Sequence, residues 1–385
     1  MTRRERLLAT LQGRAVDRPA VSFYEIGGFP IDPSDPDPFN VYNDPSWQLL
    51  LRLAEEQTDL LRMRNPVKSR SCDVELFPKN LPGKPFRVEE YLEQGCRFKR
   101  LTLKIGPKTL TSLIRRTPDV DTVWTIEHLL KNVDDLKVFL NLPDEIFAEN
   151  INVAPLIEED KKLGDSGIVM VDTEDPLCAA ASLFGMEDFT IIALTEQSLF
   201  HRLLEKLSHY IYTRTEKTAS AFPGHPWRIY GPEYATEPYL PPHLFKEYVV
   251  RYTSPMIQTI RKYNGFARIH CHGRLRAVLD YFVEMGAAAI EPVEPPPFGD
   301  IALADVRQQY GRDLALFGNI ELADLENLDA PDFEKLVEKT LIDGTAGRGR
   351  GFVLMPCAAP NGRKITPRVL ANYQTMAKLA ADFRL

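Results

Sequence analysis

What the 385-residue chain lacks narrows it first. No segment holds the roughly 18 consecutive apolar residues of a membrane span. The N-terminus lacks the charged flank and apolar core of a signal peptide. It reads Thr2-Arg3-Arg4-Glu5 before Leu7, Leu8 and Leu11, a capping box opening an amphipathic helix. Neither export nor membrane insertion is expected. The five cysteines (Cys72, Cys96, Cys178, Cys271, Cys357) contain no CxxC pair, and their odd number argues against a disulfide framework or a zinc ribbon. A reducing, cytoplasmic setting fits. Long basic runs are missing too: the net charge is −7 and lysine and arginine are dispersed, so no nucleic-acid footprint is visible. Small molecules or proteins are the expected partners.

What is present is a recurring short apolar run ending in Gly, Pro or an acidic residue. The runs are AVSFYE (20–25), TDLLRM (58–63), GIVMVD (167–172), WRIYGPE (227–233), FARIHCH (266–272), AAAIEP (287–292), LALFGN (314–319) and GFVLMP (351–356). Helical patterns over 196–219, 241–263 and 274–286 separate the later runs. Strands alternating with helices pair in parallel through βαβ units, and eight such units predict one (β/α)8 TIM barrel over 1–385. A doubly wound open sheet is the alternative architecture. A 44% hydrophobic content supplies a large core, and no linker or low-complexity tract divides the chain. The spacing breaks once, between 64 and 166. There RFKRLTLKI and TLTSLIRRT flank Gly106-Pro107-Lys108 as a predicted β-hairpin, followed by a predicted helix over 125–142. This insertion between strands 2 and 3 is expected over one mouth of the barrel.

Barrel chemistry lies at the carboxyl ends of the strands. Here those ends carry Glu25, Asp172 with Glu174, Glu233, His270 with His272, Glu291 with Glu294, and Asn319 with Glu321. Acidic residues also start helices, so the recurrence carries the argument and not any single position. Glu25, Asp172, Glu233, Glu294 and Asn319 are read as substrate-binding residues around the histidines. So many carboxylates are expected to need a cation or a basic ligand. Alternation along FARIHCH places Ala267, Ile269 and Cys271 toward the helices and Arg268, His270 and His272 inside the barrel. Two histidines one residue apart stand about 7 Å apart at Cα, close enough for both rings to meet one ion. The same pair can instead bond to neighbouring carboxylates. Cys357, after the last strand at the same mouth, completes a two-histidine, one-cysteine zinc set, or is a small buried residue.

Two loops carry paired readings. PVEPPPFGD (292–300) presents Glu294 and Asp300 to a ligand or only fixes a turn. GTAGRGRGF (344–352) offers backbone N–H groups and arginines to an anion, but it precedes a strand and is not a dinucleotide fingerprint.

The chain resembles the uroporphyrinogen decarboxylase superfamily over essentially its whole length. The resemblance rests on RRERLLATLQGRAVDRPAV near the start, GPEYATEPYLPPHLFKEYVVRY (231–252), HCHG (270–273), MGAAAIEPVEPPPFGDIALADVRQQYGRDLALFGNIE (285–321) and GRGFVLMPCAAPNGRKITPRVLANYQTM (349–376). It implies the same barrel. It also implies one of two chemistries: metal-free decarboxylation of uroporphyrinogen, or zinc-dependent methyl transfer between a corrinoid and a thiol or methoxylated substrate. The decarboxylase branch carries an arginine-bearing segment after the first strand, where this chain has Tyr24-Glu25-Ile26-Gly27-Gly28-Phe29. The methyltransferase branch carries His-x-Cys-Gly and a later cysteine; here stand His270-Cys271-His272-Gly273 and Cys357, with His272 in place of the middle cysteine. A methyltransferase acting with a corrinoid carried by a separate protein is the expected reading. A decarboxylase and a non-catalytic barrel binding a small acid or a corrinoid protein are its alternatives. No catalytic residue is assigned at this stage.

Overall fold

The computed structural model describes residues 1–66, 86–347 and 351–384. Cys72 and the central residues 348–350 of the glycine-rich GTAGRGRGF stretch lie outside the described residues. Twelve strands are present among those described: β1 (Ala20–Val21), β2 (Leu60–Arg64), β3 (Phe86–Glu93), β4 (Cys96–Ile105), β5 (Lys108–Arg116), β6 (Val123–Glu127), β7 (Gly167–Glu174), β8 (Pro226–Tyr230), β9 (Phe266–Cys271), β10 (Ala289–Pro292), β11 (Ala315–Ile320) and β12 (Phe352–Pro356). Eight of them, at the positions of the eight apolar runs, form one parallel sheet in the order β1-β12-β11-β10-β9-β8-β7-β2. The chain is an α/β TIM-like fold carrying a separate antiparallel sheet as its insertion.

The order leaves a seam between β1 and β2, which Asp59 closes. Its backbone N–H donates to the Val21 carbonyl (2.7 Å), and its carboxylate accepts from Val21 N (2.9 Å), from Arg6 (2.6 Å) and from Arg18 (3.0 Å). Arg6 reaches it from the first helix, Arg3–Leu11. That helix starts as its sequence dictates: Thr2 Oγ1 accepts from Glu5 N, and Glu5 accepts from Thr2 N.

Apolar side chains form two layers. Ala267, Ile269 and Cys271 join the larger core between strands and helices, whereas Tyr24, Met63, Met170, Phe317 and Met355 fill the barrel interior. The period-two alternation of β9 therefore holds. The helical patterns become Gln197–Ala221, a continuous run from Pro242 through a π-turn to Lys262, and Leu279–Met285. The helix expected over 125–142 is shorter. Only Val133–Leu140 is helical, because Val123, Trp124 and Ile126 suit the edge strand β6, and Asn132 caps the helix by accepting from Asp135 N.

The predicted hairpin is β4–β5, flanked by β3 and β6 in the order β3-β4-β5-β6. Its β5–β6 connection lies against the loop after β12: Asp121 N donates to Asn361 O (2.7 Å) and Arg363 N to Asp119 O (2.9 Å). The insertion thus reaches the carboxyl end of the barrel. Among the described residues no helix is long and apolar enough to cross a membrane.

The seam yields a stability prediction. Asp59→Ala removes the carboxylate that pairs with Arg18 and accepts from Val21 N, while Arg6 keeps Asp17, and unlocks β1 from β2, so it should cost about 3–5 kcal/mol in chemical denaturation. A change within experimental error of the parent would show that the seam is held by something else.

Candidate functional site

Parallel pairing places side chains of neighbouring strands in rows. Asp172, Arg228 and Arg268 are register partners across β7, β8 and β9, and His270 is the partner of Glu291 on β10. These rows become a buried charge network. Arg228 donates to Asp172 (2.9 Å) and to the Tyr24 hydroxyl (2.6 Å), and Arg268 lies 3.3 Å from Glu291. His270 Nδ1 meets Glu291 Oε2 at 2.8 Å. An ionised carboxylate only accepts, so Nδ1 carries the proton and Nε2 of His270 keeps its lone pair.

Burial opposes the charge on Glu291, but His270, Arg268 and Arg228 outweigh it and hold the carboxyl below its usual range. Burial and then Arg228 push the pKa of His270 down to about 3, so the ring is neutral. His272 differs. Its Nδ1 meets Glu294 Oε1 at 2.7 Å, and although burial works against protonation, Glu294 raises its pKa overall. The two rings lie 4.6 Å apart, nearly perpendicular. Glu294 also accepts from Gly273 N (2.6 Å), where a φ of +86° favours glycine.

The other expected residues fall in different places. Glu25 and Asp172 belong to the same electrostatic neighbourhood: burial first, then Asp121, Glu291 and Asp172 against the opposing Arg228, raise Glu25 to about 7. Glu233 faces the field of His272 and accepts from Gly231 N at 3.1 Å, its pKa raised by burial. Asn319 is a brace, its amide donating to the Val293 carbonyl at 3.0 Å. Beside it β11 approaches β10 so closely that a Cβ on Gly318 would sit 1.9 Å from the Pro292 carbonyl oxygen. Asp300 also braces, accepting from Leu275 N and Arg276 N; the proline-rich loop offers Glu294 alone to the site.

Cys357 is buried, and Glu321 and Glu294 are the carboxylates whose charge acts on its thiol. Burial, then Glu321 and Glu294, push that thiol well above its ordinary range. Burial likewise raises Glu321 to about 7. The structure therefore brings the two histidines together and leaves Cys357 a buried thiol beside Glu321. Among the described residues no group of three His, Cys, Asp or Glu side chains is arranged to hold a metal ion.

Part of the acidic charge is neutralised within the chain itself. Arg228 and Arg268 compensate Asp172 and Glu291 from within the barrel wall. Arg228 and Tyr24 are site residues to which the sequence reading assigned no role, and Arg268 and Glu321, placed at the barrel interior and at a strand end, gain their partners only in the structure. The signal was available, because an arginine interrupts each of the apolar runs WRIY and FARI. Tyr24 marks the site in another way: φ is +59°, a strained value for a tyrosine, and its ring stacks near His270 at 6.1 Å.

Residues 127–360 match the family model described as uroporphyrinogen decarboxylase (URO-D). Among solved structures the chain is similar to a methyltransferase from Methanosarcina mazei, with a TM-score of 0.62 and 14% identity, covering 100% of this chain and 99% of that one. That likeness carries the fold. No curated protein matches the sequence.

Beside the site, Asp175 is fully buried, accepting from Cys178 N (2.7 Å) and Thr253 Oγ1 (3.1 Å). Burial, reinforced by Glu233, pushes it up to about 8 from 3.8. The folded state therefore binds the extra proton, and stability falls as pH rises between the two values. Asp175→Asn keeps the bond from Cys178 N, reverses the Thr253 bond so that the amide donates to the hydroxyl, and removes the titration. The variant should gain stability relative to the parent progressively across that window in denaturation at acidic, neutral and alkaline pH; a difference independent of pH would reject this assignment.

Proposed function

The chain belongs to the uroporphyrinogen decarboxylase family, and from that premise we propose that it is a zinc-dependent methyltransferase acting with a corrinoid methyl carrier on a thiol or methoxylated substrate. One observation carries the reading: His270 and His272 are neighbours on one barrel face, and each ring has its Nδ1 fixed by a carboxylate. This is the outer-shell arrangement that orients metal-ligating histidines, and it reserves Nε2 of each for an ion. The donor chemistry fits zinc at these two residues. Cys357 is the third donor in this reading, once its thiol loses its proton.

When bound, zinc would lower the pKa of a coordinated thiol and so generate the thiolate that accepts a methyl group. The rest falls to the chain. Glu291 and Glu294 orient the two rings, and Glu321 is placed to take the Cys357 proton. Glu25 can hold or release a proton near neutral pH, and Glu233 adds to the negative potential beside His272. Arg228 and Arg268 keep the floor of the site neutral. No corrinoid-binding segment is recognisable in the sequence, so the methyl carrier is assigned to a separate protein.

The decarboxylase alternative is disfavoured by charge. A porphyrinogen carrying several carboxylates would meet Glu25, Glu233, Glu294 and Glu321 at this mouth, and Arg228 and Arg268 beneath them are buried and engaged with Asp172, Tyr24 and Glu291. Like charges at short range disfavour binding.

Protein purified without chelator should hold close to one zinc per chain by elemental analysis. His270→Ala and His272→Ala should each lose it, and Cys271→Ala should retain it because that side chain faces the helices. A preparation that is metal-free and fails to take up added zinc would remove the reading. The protein should also form no coproporphyrinogen anaerobically; turnover above about 1 per second, an ordinary enzymatic rate, would restore the decarboxylase.

A further inference from the structure

Different forces hold the two ends of the insertion. At the β4–β5 turn, Leu103 and Leu110 are buried in the main apolar core, and Lys108 pairs with Asp135 at 2.8 Å. At the opposite end the attachments are polar. Arg97 on β4 makes two 2.8 Å bonds to Asp37 and lies over Phe39, and Asp121 accepts from Arg116 and Tyr42. Arg363 gathers these parts: Nε donates to Pro118 O (2.9 Å), Nη1 to Asn43 Oδ1 (3.0 Å) and Nη2 to Pro38 O, while its backbone N–H donates to Asp119 O. One guanidinium thus joins the loop after β1, the β5–β6 connection and the loop after β12. A segment with an apolar anchor at one end and hydrogen bonds at the other opens first at the polar end.

We propose that Arg363 is a latch that docks the insertion at the carboxyl mouth and, through the loop it shares with Cys357, fixes the position of that thiol. Arg363 is a positioning residue. The stretch from Cys357 to Arg363 is short and held at both ends, by Cys357 N donating to Ile320 O (2.8 Å) and by the guanidinium cluster. Releasing the cluster frees the loop to swing about β12, uncovering the thiol. Access to the mouth and placement of Cys357 are then a single event. The inference concerns loop and thiol alone and does not depend on the zinc reading.

The test is alkylation of the intact chain by iodoacetamide after chelator treatment, followed peptide by peptide by mass spectrometry. Cys271, fully buried on the helix side of β9, reports global unfolding. In Arg363→Ala the Cys357 rate should rise at least about tenfold, the scale expected from losing hydrogen bonds to a charged group, while the Cys271 rate stays that of the parent. Arg363→Lys should behave as the alanine variant does, since an ammonium cannot span three acceptors in a plane. Arg97→Ala releases the same end from the insertion side and should raise Cys357 selectively, which keeps the test decisive if the Arg363 variants fold poorly. Cys357 and Cys271 rising together, or an unchanged Cys357 rate in a folded variant, would overturn the proposal.

Discussion

The site depends on a carboxylate that has no contact with solvent. Glu291 lies inside the barrel, and an ion there is tolerable only when its charge is matched locally. Arg268 and Arg228 supply the match, and neutral His270 adds a hydrogen bond. Each is then constrained in turn: the His270 ring is locked by its Nδ1 proton, Arg268 is pinned over the Phe317 ring, and Arg228 is held between Asp172 and the Tyr24 hydroxyl. Five strands or strand ends are thereby tied to one buried charge. The geometry of the histidine pair is a by-product of this balance, which makes the pair rigid on one member and adjustable on the other. Neutral His270 is embedded, whereas partly exposed His272 shares its charge with Glu294 near the rim.

Much of the fold was legible because burial writes itself into period and composition. Eight apolar runs with turn residues at their ends can be counted, and the alternation in FARIHCH assigns faces without any knowledge of neighbours. The limits follow from what is not local. The helix over 125–142 was drawn too long because apolar residues at helical spacing also occur where a strand passes into a cap, and only the side-chain bond from Asn132 fixes the boundary. Likewise β1 contributes just two ladder residues, since Tyr24 turns the chain out of the sheet.

The candidate site was legible in its parts and not in its pairings. Strand-end acids could be named, but whether Asn319 faces a cavity or braces Val293 depends on how closely β11 approaches β10. Register is the missing quantity. Arg228 beside Arg268, and His270 beside Glu291, are consequences of how β8, β9 and β10 slide against one another, which the residues of any one strand do not specify. For the same reason the pairing of Arg268, which alternation turns into the barrel, with Glu291 and the role of Arg228 are not read from the sequence.

The position of β1 bears on how the chain is made. Its ladder partner is β12, more than three hundred residues later, while its early strand companion is β2 through Asp59. During synthesis the first strand must wait, one edge unpaired, until nearly every other strand has left the ribosome. The arginine-bearing first helix and Asp59 can assemble at once, so a side-chain clamp rather than a ladder shelters the newborn edge. Such an edge is a place where a chaperone, or another nascent chain, can attach.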